Sequence, residues 1–386
     1  MKIVFIGGRG IHILGGIENY MLNLTRELTK LGHECIVWCE SDHHEEEMLD
    51  GVKVIYHPGP KSNLICKPWC GLKATIRTVF GMRGVDFIHY NAWPPSLWCW
   101  IPRLFGIRSC MEGHGLEWQR SKYSPRAQKV MKVMESFTAR LNQHLIMCSE
   151  GQVDYFKKVY GKDSTCIPGA VTLPDLSRNN PSDILEKYGL SDKKYLLFMG
   201  RLVQDKNPDY LIKAFIKAKA DGYKLVIAGS NDATPDYVAM LQQLGAGNDN
   251  IVFTGAVYGD DKDMLLRHAY CFCLPSTIEG LSIVMMEAAS YHLPVIASNI
   301  DANREFLGND AVYVRPENED DLVKAIEYAI SHPNEIDNQQ QTNFQKIVDN
   351  YTWDKVAMKY VEYLHTIGIK DNTYSANFIA YQHGQK

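Results

Sequence analysis

The sequence predicts an α/β protein built from two consecutive series of parallel strands and helices. Three observations carry this reading. A chain of 386 residues is too long for one hydrophobic core and suits two domains of ordinary size. Its opening reads as strand, glycine-rich loop, amphipathic helix and strand, and a second series with the same order starts at Tyr195. At 45% apolar and 22% charged residues, the composition is that of a folded globular chain and excludes disorder.

Taken in order, Lys2–Ile6 is an apolar run ending in Gly7-Gly8, the pattern of a buried parallel strand. After the loop through Gly15-Gly16, Glu18–Leu31 has the spacing of an amphipathic helix closed by Gly32, and His33–Cys39 is the next strand. The dinucleotide fingerprint G-x-G-x-x-G requires glycine at position 13, where Ile13 stands. A strand is expected at Val52–Tyr56, then an amphipathic helix from about Cys70 bearing Lys73 and Arg77. Asp86–Tyr90 is a further strand, and Trp93, Trp98 and Trp100 are expected in the core and a pocket wall. Arg108–Trp118 reads as a strand running into glycine-flanked His114. That histidine falls at the carboxyl end of a parallel strand, where open α/β sheets place their ligands. A helix with a basic face (Arg126, Lys129, Lys132) runs from Ser124 toward the strand Leu145–Ser149. Val153–Tyr160 is helical, and Leu173–Asp183, with two prolines, reads as a linker.

In the second series the strand Tyr195–Gly200 is followed by Arg201 and Lys206, just before a helix from Asp209 to Ala220. Arginine offers a bidentate fork and lysine a point charge, a pair suited to a diphosphate. Lys224–Gly229 and Ile251–Gly255 are buried strands, and Tyr258 is an aromatic able to stack on a base. Asp260–Asp263 stands at a helix start and reads as a cap. Leu274–Ser298 reads as strand, loop, helix, turn and strand, with Glu279 in the loop and Glu287 inside the helix. Gly280, Leu281 and Ser282 fall at that helix's N-terminus, whose amides suit hydroxyl or phosphate oxygens. By spacing alone, the two glutamates are equally well explained as ordinary helix-start acids. Glu319–Ser331 and Thr352–Ile367 are closing helices, and 371–386 is a polar tail.

Charge and cysteines restrict the setting. The formal net charge is −4, yet residues 60–140 hold 13 Lys/Arg against 4 Asp/Glu, and the remainder holds 28 against 41. This implies an anionic partner for that region alone, and no nucleic acid is expected. The ten cysteines show no ligand spacing along the chain, so neither zinc nor a disulfide framework is expected and the reducing cytosol is the natural compartment. The apolar start is too short for a signal peptide, and no run reaches the roughly 20 residues of a membrane span. A cytoplasmic protein is expected.

The wording of four segments adds a resemblance. Pro275-Ser276, Glu279-Gly280, Glu287-Ala288-Ala289 and Pro294-Val295-Ile296-Ala297 resemble the signature of retaining glycosyltransferases of family 4, with Leu281-Ser282 in place of Phe-Gly and His292 in place of Gly. Gly15-Gly16-Ile17-Glu18 through Gly32-His33-Glu34, Gly200-Arg201-Leu202 with Lys206, and the glycine-flanked His114 resemble three further family motifs. The resemblance implies the GT-B fold, two Rossmann-like βαβ domains facing across a cleft. Residues 1–172 would bind the acceptor, 173–186 would link, and 187–350 would bind the nucleotide sugar. Residues 351–368 would return as a helix to the first domain, with 369–386 as a tail. It also implies glycosyl transfer with retention from a nucleotide-diphosphate sugar to a glycan acceptor, lipid-linked at an anionic membrane surface, with no metal or other cofactor. Arg201 and Lys206 would meet the diphosphate, and Glu287 the ribose. Glu279 with Gly280, Leu281 and Ser282 would orient the sugar, Gly15 and Gly16 would approach the donor, and Tyr258 the base. His114 would contact sugar or acceptor. The phrase His114–Lys122 is similar to one in bacterial polysaccharide rhamnosyltransferases, which suggests dTDP-rhamnose beside UDP- and GDP-hexoses. A GT-B sugar-nucleotide epimerase and an NAD(P)-dependent oxidoreductase stand as alternatives.

Overall fold

The apolar runs become parallel strands buried on both faces, and helices cover them. The computed structural model describes residues 1–10, 16–61, 63–119, 124–231 and 234–370. The chain divides into two units, the first built on 1–118, 124–170 and 353–370, the second on Val171–Thr352.

In the first unit the elements are β1 (Lys2–Gly8), α1 (Gly16–Lys30), β2 (Glu34–Ser41), β3 (Glu45–Leu49), β4 (Val52–Pro58), α2 (Asn63–Gly81) and β5 (Phe87–Asn91). Then follow α3 (Trp93–Ser96), α4 (Trp100–Leu104), β6 (Arg108–Gly113), α5 (Pro125–Leu141), β7 (His144–Met147), α6 (Glu150–Tyr160) and β8 (Thr165–Cys166). Among the described residues the strands form one sheet in the order β3-β4-β2-β1-β5-β6-β7-β8. Alternation along β1 divides the core. Ile3 and Phe5 pack with Met21, Leu24 and Leu28 of α1 and with Val356, Tyr360 and Leu364 of the C-terminal helix Trp353–Thr366. Val4 and Ile6 pack on the other face with Trp38, Ile55 and Ala74 of α2.

Several local expectations change. β3, antiparallel to β4, is not apparent from Glu45-Glu46-Glu47, because an acidic run reads as solvated. At a sheet edge such charges are tolerated and block further pairing. α2 begins well before Cys70 and carries Pro68 inside it, whose carbonyl accepts from Trp98 Nε1 at 2.7 Å. Trp93 is buried and stacks on Phe156 at 5.2 Å, whereas Trp100 is 43% exposed and belongs to the surface. α5 stops at Leu141, where Asn142 donates back to the Thr138 carbonyl from its backbone N–H at 3.0 Å and from its side-chain Nδ2 at 2.9 Å.

The second unit contains α7 (Ile184–Lys187), β9 (Tyr195–Met199), α8 (Pro208–Lys217), β10 (Lys224–Ala228), α9 (Pro235–Gly245), β11 (Ile251–Gly255) and α10 (Gly259–His268). It continues with β12 (Cys271–Leu274), α11 (Ile283–Ser290), β13 (Val295–Ser298), α12 (Asp301–Leu307), β14 (Val312–Val314), α13 (Glu319–Ser331) and α14 (Pro333–Asn350). The strand order is β11-β10-β9-β12-β13-β14, all parallel. The chain therefore winds outward from β9 in one direction, then restarts beside it at β12 and winds the other way. α14 is polar along most of its length and buries only Ile336, Asn343 and Ile347, too sparse a stripe to read from sequence.

The stretch 173–186, expected as a linker, is tied to α10. Arg178 pairs with Asp260 at 2.5 Å, Asn180 Nδ2 donates to Asp263 at 2.6 Å, and Ser182 Oγ to Asp261 at 2.6 Å. This corrects the reading of Asp260–Asp263 as a cap. The N-cap is Tyr258 and makes no side-chain capping bond. The acids instead hold the neighbouring segment.

Candidate functional site

In an open parallel sheet the crevice forms outside the carboxyl ends of the strands where the winding direction reverses. In the second unit that point lies between β9 and β12, and two loops leave it side by side. One follows β9 and carries Arg201 and Lys206. The other follows β12 and carries Glu279, Gly280, Leu281 and Ser282. Hydrogen bonds lash them together: the Thr277 N–H donates to the Asp205 carbonyl at 2.9 Å, and the Asn207 side-chain Nδ2 to the Pro275 carbonyl at 3.0 Å. Asn207 achieves this from a left-handed conformation, φ 51°, which asparagine tolerates better than most residues. Gly229 at the end of β10 is required by close approach, since a Cβ there would stand 1.9 Å from the Gly200 carbonyl oxygen.

Across this junction Lys206 Nζ forms an ion pair with Glu279, both largely shielded from water. The structure thus joins two residues 73 positions apart. Arg201 is exposed at the same strand end. α11 starts at Ile283 with Ser282 as N-cap, and the Ser282 side chain makes no capping bond among the described residues. Ser276 and Ser282 are buried, and their Oγ atoms have no hydrogen-bond partner among the described residues. Uncapped amides beside orphaned hydroxyls are the arrangement a polar ligand completes.

Glu287, the fifth residue of α11, does not join that pair. Its carboxylate accepts from Lys262 Nζ of α10 at 2.5 Å. The sequence reading missed Lys262, for which no local pattern exists. Tyr258, at the head of α10, is 55% exposed, so its ring face is accessible.

The first unit carries His114 one residue beyond β6. Its ring lies edge-on to Tyr20 of α1 at 5.3 Å, and its Nδ1 is 3.8 Å from Glu112. Glu112 is fully buried, and its other oxygen lies 2.7 Å from Nε2 of equally buried His89, whose Nδ1 bonds with the Tyr360 hydroxyl at 3.0 Å. Burial, reinforced by the Glu112 charge, pushes the Tyr20 hydroxyl well above its ordinary pKa. Glu112 was missed, although a spacing of two on a strand places it on the same face as His114. Gly16 is the first residue of α1, and Gly15 lies outside the described residues. Buried Glu18 accepts from the Arg9 amide at 3.3 Å and from Arg9 Nε at 3.1 Å, fastening the glycine loop to the helix.

The two units coincide with two family matches. Residues 14–173 match the family described as Glycosyltransferase Family 4, and residues 182–346 the one described as Glycosyl transferases group 1. The chain is a glycosyltransferase. An uncharacterised glycosyltransferase of Methanocaldococcus jannaschii is 27% identical over 372 residues, covering 90% of this chain and 94% of the relative. An O-antigen chain mannosyltransferase of Salmonella typhimurium is 29% identical over 237 residues, 59% of this chain and 62% of that one. An Anabaena protein solved in complex with UDP-glucose superposes with a TM-score of 0.76 at 17% identity, covering 95% of this chain and 100% of that chain. That likeness concerns the fold, and the fold of the glycosyltransferase is GT-B. Neither an epimerase nor an oxidoreductase is favoured by these matches.

Proposed function

We propose that the enzyme transfers a hexose from a nucleotide-diphosphate sugar to a glycan acceptor with retention at the anomeric carbon. The observation that carries this is the meeting of the Arg201–Lys206 and Pro275–Ser282 loops at the carboxyl ends of β9 and β12. Arg201 and Lys206 would neutralise charge growing on the departing diphosphate, with no metal cofactor assigned to that task. Glu279, held by Lys206, would orient the sugar hydroxyls together with the amides at Gly280–Ser282. Glu287 would exchange Lys262 for the ribose hydroxyls, and Tyr258 would stack on the base. In the first unit His114, positioned by Glu112, would meet the sugar or acceptor. No carboxylate is assigned as a covalent nucleophile, so same-face attack assisted by the leaving phosphate is the favoured route.

The likeness to an O-antigen chain mannosyltransferase supports a hexose donor such as a mannose nucleotide. The dTDP-rhamnose alternative rests on the phrase His114–Lys122. In that phrase Trp118 Nε1 donates to Glu135 at 3.0 Å, and residues 120–122 lie outside the described ones. We place the acceptor on a lipid carrier. Ile65, Trp69, Ile76 and Phe80 of α2 and Val130, Val133 and Phe137 of α5 are exposed among Lys67, Lys73, Arg77, Lys129 and Lys132. A basic face with exposed apolar side chains suits an anionic bilayer surface. Among the described residues no helix is long and apolar enough to cross a membrane.

The test is a thermal-shift screen of UDP, GDP and dTDP, followed by NMR of product made with the matching sugar donor. A nucleotide at about 100 times its Kd stabilises the fold by roughly 2.7 kcal/mol. Absence of any nucleotide shift refutes the donor site, and a product anomer opposite to the donor's refutes retention.

A further inference from the structure

We propose that the first unit holds a zinc-type divalent cation between Glu40, His57, Cys66 and Cys70. Read along the chain, these residues show no ligand spacing; the sheet and α2 bring Glu40, Cys66 and Cys70 within reach of one another and place His57 on the same pocket wall. Glu40 and His57 are register partners at the carboxyl ends of adjacent parallel strands β2 and β4, so their side chains leave the same face. That face is the one α2 covers, because Trp38, two residues before Glu40, donates from Nε1 to Thr78 of α2 at 3.0 Å and lies 5.2 Å from the His57 ring. Cys66 and Cys70 are one turn apart on α2. One ligand atom from each of Glu40, Cys66 and Cys70 lies within 4.8 Å of the others.

The geometry suits a tetrahedral ion. Two thiolates at about 2.3 Å from such an ion stand roughly 3.8 Å apart, and the two sulfurs are 3.9 Å apart. They converge on Gly59, where a Cβ would come within 2.6 Å of one and 2.7 Å of the other, so only glycine leaves room for both. His57 supplies the independent sign of a ligand. It is 1% exposed, and its Nδ1 has no hydrogen-bond partner among the described residues. It lines the same small pocket as Glu40, Cys70 and Lys67. Two sulfurs, a nitrogen and a carboxylate oxygen form a donor set that zinc accepts. Binding would displace one proton from each thiol into solvent. Two thiolates and a carboxylate around a doubly charged ion leave one negative charge, which the neighbouring Lys67 ammonium balances. Glu40, Cys66 and Cys70 are the three ligands whose donor atoms already lie within 4.8 Å of one another. His57, on the same pocket wall, turns in as the fourth and closes the site. The role of the site is to pin the start of α2 to the ends of β2 and β4.

The test uses the full chain, stripped with a chelator and titrated with Co²⁺ alone, then with Zn²⁺ alone. The expected result is a thiolate charge-transfer band and the visible bands of tetrahedral cobalt, saturating at one ion per chain and bleached by zinc, with zinc raising the melting temperature. Cys66→Ser and Cys70→Ser should abolish the bands. Where those variants do not fold, Glu40→Gln and His57→Ala are read in the same titration. Altering even an outer-shell partner of a metal site costs 10–100-fold in affinity, so losing a ligand should cost at least about tenfold. No bands in the parent, bands unchanged in the folded cysteine variants, or parent affinity in both Glu40→Gln and His57→Ala would overturn the proposal.

Discussion

Breaking the Lys206–Glu279 pair tests whether the two loops at the ends of β9 and β12 act together. The two side chains are only 17% and 9% exposed, so each holds a charge that water screens poorly. Lys206→Ala removes the cation proposed to meet the phosphate and leaves Glu279 without its partner. Glu279→Ala leaves the ammonium without the acid that aims it. Loss of transition-state charge stabilisation is worth about 10²–10³-fold in turnover, which is the expectation for Lys206→Ala. Glu279→Ala should cost about tenfold or more by misplacing the same ammonium. Because the two residues form one charge pair while Glu279 also orients the sugar, the double variant should lose less than the product of the two single losses. The orphaned, shielded charge in either single variant should also lower stability by about 1–3 kcal/mol, and the double variant should recover part of that loss. The assay is donor-dependent nucleotide release, giving kcat and KM, alongside chemical denaturation of all four proteins. Multiplicative losses in kcat, with no recovery of stability in the double variant, would refute the idea that the pair is a unit.

Glu287→Ala should weaken nucleotide binding by about 1.5–3 kcal/mol, the worth of charged hydrogen bonds. Lys262→Ala, which only releases Glu287, should weaken it less, and calorimetric titration with UDP and GDP that reversed this order would reject the ribose assignment. Flotation with anionic vesicles should recover the enzyme and fade with salt and with Lys67, Lys73, Arg77, Lys129 and Lys132 changed to Gln; equal recovery on neutral vesicles would exclude the basic face as the cause. Buried Glu135 accepts from Trp118, Tyr155 and Tyr160 at 3.0, 2.9 and 2.7 Å, yet burial dominates and raises its carboxyl above the ordinary 4.5. The folded state therefore binds this proton more tightly than the unfolded state, and stability falls as pH rises from 4.5 through the folded pKa. Glu135→Gln should flatten that fall in denaturation curves, and a parent whose stability rises relative to the variant over this range would contradict the sign.

Local patterning was sufficient for most of the architecture. Buried parallel strands such as Ile3–Ile6 and Leu196–Met199 announce themselves as apolar runs because both of their faces meet helices. The segments carrying Arg201, Lys206, Glu279 and Glu287 were legible as strand-end loops and a helix start for the same reason. Elements whose burial is partial escaped. β3 is an acidic edge strand, and α14 buries only a thin stripe.

What periodicity cannot report is a partner on another element. It tells which way a side chain leaves its own strand or helix, and strand order then decides what stands opposite. The Lys206–Glu279 pair exists because β12 lies beside β9 rather than beyond β11. The Glu287–Lys262 pair depends on how α10 and α11 pack. Glu112 is held between His89 and His114 because β5 and β6 are neighbours in register. Glu40, His57 and Cys70 line one pocket, and Cys66 stands within ligand distance of Glu40 and Cys70, only because α2 packs over the strands that carry Glu40 and His57. The sequence by itself determined the strands, the glycine loops and the chemistry each loop could offer. Only the tertiary structure decided which charges meet, since ion pairs and ligand sets depend on distances across the sheet that no spacing along the chain encodes.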